Sequence, residues 1–104
     1  MTLPDPDAPP GDIADDIREL AGLYLSTRRG DLARLDAALA AGDLAVIRAV
    51  GHAFKGSSAP FGFPEAGRLG AELEEAATRG DREAIAAIVP LLKAALPPEG
   101  PSHD

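Results

Sequence analysis

The dipeptide Gly-Asp occurs four times, at Gly11-Asp12, Gly30-Asp31, Gly42-Asp43 and Gly80-Asp81, each time ahead of apolar residues at helical spacing. Glycine tolerates the left-handed conformation that ends a helix, and an aspartate side chain accepts a hydrogen bond from the first free amides of the next one. The pattern reads as stop-then-start punctuation of a chain built from helices. Five helical segments are expected. Ile13, Ile17, Leu20 and Tyr24 line one face of the first, and Leu32, Leu35 and Leu39 that of the second. Leu44, Ile47, Gly51, Phe54 and Ser58 line the third, Ala66, Leu69 and Leu73 the fourth, and Ile85, Ile88, Leu92 and Leu96 the fifth. Unequal spacing of the Gly-Asp marks argues against a tandem repeat. Short connections force antiparallel neighbours, so the expected fold is all-α, an antiparallel up-and-down four-helix bundle with an additional helix. Pro60 should end or kink the third segment, Pro64 suits the first turn of the fourth, and Pro90 should kink or split the fifth.

Composition points the same way, because the apolar residues are mostly Ala and Leu, with three Val and five Ile. That balance favours helix over strand. A chain of 104 residues makes one domain, with room for one core but not for a deep substrate cavity besides. Seven of the ten prolines lie near the ends, so residues 1–11 and 97–104 are expected to be flexible tails around a bundle spanning 12–96. With no cysteine, disulfides, thiolate metal sites and cysteine nucleophiles are excluded. A net charge of -7 argues against nucleic acid, which requires a basic surface. No stretch is long and apolar enough for a membrane span and the first residues do not form a signal peptide, so a cytoplasmic monomer is expected.

The segment His52-Ala53-Phe54-Lys55-Gly56-Ser57-Ser58 carries the chemistry. On a helix His52 points about 140° away from the inward Ile47, and should be exposed. Ala49 and Gly56 beside it are small, while Arg48 and Lys55 flank it with positive charge. A neutral imidazole nitrogen there can attack phosphorus, Lys55 can neutralise phosphoryl oxygens, and Gly56 leaves room for a partner's backbone. From Leu44 to Pro64 there is no acidic residue, so no local carboxylate orients the ring. The acidic run Glu72, Glu74 and Glu75 reads as a solvated helix face, and Phe61 and Phe63 as core. A lone surface histidine is ordinarily inert, and Lys55 alone would be an ordinary snorkelling lysine; it is their joint spacing that carries meaning. Metal binding is not expected, because His52 and His103 stand far apart and no ligand spacing occurs.

The pattern His-x-x-Lys-Gly-Ser-Ser, followed by Gly62 and by a helix ending in Leu73-Glu74, resembles the histidine-containing phosphotransfer (Hpt) domains of multistep two-component phosphorelays. Ala40-Ala41-Gly42-Asp43-Leu44 looks like the junction that leads such domains into the phosphoacceptor helix, and the resemblance covers roughly Asp12 to Leu96. It implies that His52 is the phosphoacceptor and that Lys55 stabilises the phosphoryl group. Gly56, with Ala49 and Arg48, would admit a docking receiver domain, while Ser57, Ser58 and Phe54 would support the helix. The partners implied are response-regulator receivers, that of a hybrid histidine kinase being one candidate, and the receiver would bring Mg2+; this chain would bind no cofactor of its own. Such a protein is a phosphotransfer intermediate rather than an autonomous enzyme, since no ATP-binding domain fits the length. The alternative is a helical module that docks receivers or kinases without carrying phosphate. Ala66, Gly70 and Phe63-Pro64 depart from the family pattern, and with Gly67 and Gly70 the fourth segment must rely on packing.

Overall fold

The computed structural model describes residues 10–97, and the side chains of residue 16 and of residues 18–97. Among the described residues every regular element is helical: α1 (Pro10–Ala41), α2 (Leu44–Ser57), a 3-10 turn (Ala59–Phe61), α3 (Pro64–Arg79) and α4 (Arg82–Ala94). The expected tails fall outside the described residues except at 10, 11 and 97, as do His103 and the side chains of Ile13 and Ile17.

Two of the Gly-Asp marks act as punctuation. Gly42 and Gly80 take φ of 69° and 68°, a conformation that any Cβ would strain. Asp43 and Asp81 then accept hydrogen bonds from the amides of Val46 (3.2 Å) and Ala84 (3.0 Å). Each cap satisfies an amide that the helix itself leaves without a partner. The Ala84 amide and, less strongly, Arg79 hold the Asp81 carboxyl below its usual range.

Gly30-Asp31 is not a boundary, and the first two expected segments are one helix of 32 residues. Asp31 is buried and occupied within the helix, by Arg28 Nη2 at 3.1 Å and Arg34 Nη1 at 2.9 Å, so its carboxylate is not free to cap. The buried stripe of this helix is Tyr24, Arg28 (half-buried), Asp31, Leu35 and Ala38. Leu20 and Leu39, expected inside, are 53% and 36% exposed. Pro90 does not split α4, and it lies on the exposed side, where its missing amide leaves the packed face untouched. Pro60 does end α2, inside the 3-10 turn, and Pro64 opens α3.

The neighbours are antiparallel. Tyr24 meets Ser58 and Arg28 meets Ala53 across α1 and α2. Lys93 reaches Asp36 at 2.6 Å and Arg29 reaches the Pro97 carbonyl at 3.0 Å, which lays the end of α4 along α1. Between them sit Leu35, Ile47, Val50, Phe54, Leu69, Leu73, Ile85 and Leu92, all nearly or fully buried. Each large side chain among them stabilises the fold by about 1.5–3 kcal/mol. Phe61 and Phe63 pack on this core as expected, their rings stacked 5.1 and 5.5 Å from that of Tyr24.

Helices α2 and α3 touch backbone to backbone. A Cβ on Gly51 would lie 2.6 Å from the Glu74 amide nitrogen, and one on Gly70 would lie 2.5 Å from Phe54 Cβ and 2.8 Å from the Gly51 carbonyl oxygen. Gly70 weakens α3 as an isolated helix but lets it dock this closely.

Candidate functional site

His52 stands on the exposed side of α2, its side chain 68% accessible, where helical phase places it. The close crossing brings the backbone of Glu74 against Gly51, and from there its carboxylate reaches forward along α2. Glu74 Oε2 lies 3.0 Å from His52 Nδ1, and Oε1 lies 2.9 Å from Lys55 Nζ. This corrects two expectations. A carboxylate does orient the imidazole, and Glu74 is not part of a solvated face, since its side chain is only 21% exposed. Glu72 is paired instead to Arg68, which also holds Glu65 at 2.5 Å, and Glu75 stands 3.9 Å from Arg79.

The Lys55 ammonium first, and His52 second, hold the Glu74 carboxyl below its ordinary range. An ionised carboxylate only accepts hydrogen bonds, so the proton of a neutral His52 ring sits on Nδ1. The lone pair is thereby left on Nε2, facing away from Glu74. Buried histidine ligands and catalytic histidines are fixed by the same kind of contact.

The remaining expected residues gather around this centre. Arg48, Ala49 and His52, with Ala45 and Glu74, line a hollow of about 400 Å3. Gly56 is exposed, and a Cβ there would meet nothing within 4 Å, so helix packing does not explain its glycine. Phe54 is fully buried beneath the site. Both serines are structural. Ser57 donates to a carbonyl one turn back, that of Ala53 at 2.7 Å. Ser58 is buried and accepts the Tyr24 hydroxyl at 2.5 Å.

Arg28 was not singled out by the sequence, yet it ties α1 to the end of α2. Its Nη1 donates to Ser57 Oγ at 2.8 Å and to the Ala53 carbonyl at 3.0 Å, and its guanidinium lies 5.8 Å from the Phe54 ring centre. Its position one turn after Tyr24 in an unbroken stripe is the signal that could have found it.

Among the described residues no cluster of three or more His, Cys, Asp or Glu side chains is placed to hold a metal ion, and no helix is long and apolar enough to cross a membrane. No curated protein and no solved structure matches the chain. A family model described as Hpt domain matches residues 19–97, a span that contains the 3-10 turn, α2, α3, α4 and most of α1. The chain therefore belongs to the Hpt domain family, whose members are histidine-containing carriers in phosphorelays.

Proposed function

We propose that His52 accepts a phosphoryl group from the phosphoaspartate of a receiver domain and passes it to the aspartate of another. The observation that carries this reading is the Nδ1 contact to Glu74, which leaves Nε2 of an exposed ring as the nucleophile. In the forward step the Nε2 lone pair forms the N–P bond while the P–O bond to the partner's aspartate breaks. That carboxylate leaves with the bonding electrons. The ring keeps its Nδ1 proton and becomes positive, and Glu74 is already placed to stabilise that charge. The reverse step uses the same contacts, which suits a relay. Magnesium is expected on the receiver's side. Arg48 and Lys55 give the α2 surface around His52 a positive character that favours approach of an anionic phosphoryl group, and open space at Gly56 and Ala49 suits close approach of a receiver.

Incubation with phosphorylated receiver domains tests the reading directly. The expected product is a single acid-labile, base-stable phosphate on His52, absent from His52→Gln. Unchanged labelling of His52→Gln overturns the assignment, and tight receiver binding without any transfer replaces it with a docking module that carries no phosphate.

A further inference from the structure

The two cations flanking His52 are not equivalent. Lys55 is held by Glu74 at 2.9 Å, and the hollow onto which it opens is lined with Glu74, Glu75, Thr78 and Arg79 but not His52. Arg48 lines the hollow of His52 itself, and it has no hydrogen-bond or ion-pair partner among the described residues. Helical side chains lean toward the helix N-terminus, so a residue covers the turn before its own Cα. The imidazole of His52 thus lies over the turn of Arg48 and Ala49, while Lys55 leans back to share the Glu74 carboxylate with it. A dianionic group arriving at Nε2 meets an uncompensated guanidinium on one side. On the other it meets an ammonium already neutralised by a carboxylate, whose combined field falls off faster with distance.

Resting on His52 as the phosphoacceptor, we infer that Arg48 is the residue that binds the phosphoryl oxygens, and that Lys55 acts one step back as the positioning residue for Glu74. The planar guanidinium can engage two of the three oxygens at once, and Ala45 and Ala49 leave the floor of the hollow low enough to admit them. Lys55 fixes the carboxylate that fixes the tautomer.

Phosphoramidate as the donor tests this without any partner protein. Nε2 forms the new N–P bond, the donor's P–N bond breaks, and the donor nitrogen takes up a proton and leaves as ammonia. The initial rate of His52 phosphorylation is followed by phosphorus NMR for the wild type, Arg48→Gln, Arg48→Lys, Lys55→Gln, Glu74→Gln and the double variant Arg48→Gln/Glu74→Gln, with His52→Gln as the blank. Arg48→Gln should be slower by about tenfold, less than the loss of a donor in a water-excluded site. Arg48→Lys keeps the charge but not the two-oxygen fork, so it should recover only part of the rate, and Lys55→Gln should lose less than Arg48→Gln. In the double variant Lys55 is released, while the side-chain amide carbonyl introduced by Glu74→Gln can still accept from Nδ1, so the Arg48→Gln defect, measured there against Glu74→Gln alone, should shrink. A wild-type rate in Arg48→Gln, or a greater loss in Lys55→Gln, overturns the assignment of Arg48 and leaves His52 standing. No phosphorylation above the His52→Gln blank overturns the phosphoacceptor reading and this one with it.

Discussion

Tyr24 is the one tyrosine in a chain that has no tryptophan, so its ionisation can be followed by ultraviolet absorbance without interference. Its hydroxyl donates to Ser58 Oγ inside the bundle, and burial pushes its pKa above the ordinary value near 10, against the smaller opposing effects of Ser58 and Arg28. A raised pKa means that the fold favours the neutral phenol. The associated stability is fully present below the unfolded pKa and is lost as pH rises through the folded one. The absorbance titration should therefore have its midpoint above 10, and the denaturant midpoint, followed by helical circular dichroism, should fall as pH rises through it. Titration at the ordinary value with helicity intact would contradict the burial of Tyr24. At this scale the sequence was a fair guide to direction but not to partnership. Helical phase placed Ser58 inward and His52 outward, both correctly. The donor to Ser58 lies 34 residues away, however, and no local rule connects the two.

The elements were legible where a helix end is decided locally. Gly42-Asp43 and Gly80-Asp81 each bring a glycine with positive φ and a carboxylate that caps the next helix, whereas the same dipeptide at Gly30-Asp31 lies inside α1. What separates them is phase. Tyr24, Arg28, Asp31, Leu35 and Ala38 step by four, three, four and three residues across Gly30 with no slip, as a continuous helix requires. Two of the five are charged, which hid the stripe from a search for apolar residues. Continuity makes a prediction about Gly30, where a Cβ would meet nothing within 4 Å. Gly30→Ala should stabilise the protein by about 0.5–1 kcal/mol, read as a higher denaturant midpoint. Were Gly30 a left-handed helix stop, alanine would be strained there and the midpoint would fall.

The site itself exists only in the whole molecule. The acid-free stretch from Leu44 to Pro64 is real along the chain but not in space, because α3 returns antiparallel to α2 and places Glu74 on His52. His52 and Glu74 lie eleven residues on either side of Phe63, so reflecting the chain about that turn pairs them; the sequence permitted this inference once the hairpin was assumed. Its closeness could not be foreseen, because it depends on Gly51 and Gly70 meeting backbone to backbone. Gly70 touches neither the imidazole nor any group proposed to bind phosphate, yet the crossing it permits sets the reach of Glu74. Gly70→Ala forces its Cβ against Phe54 and the α2 backbone, so α3 must move outward, at a cost of about 1–3 kcal/mol. Glu74, one turn along the same helix, moves with it. Phosphorylation of His52 by phosphoramidate should consequently slow in Gly70→Ala as it does in Glu74→Ala. Only the glycine variant should also unfold at lower denaturant, since pairs of Glu74 with the exposed His52 and Lys55 contribute little to stability. A destabilised Gly70→Ala protein that still phosphorylates at the wild-type rate would show that the helix crossing and the chemistry at His52 are independent.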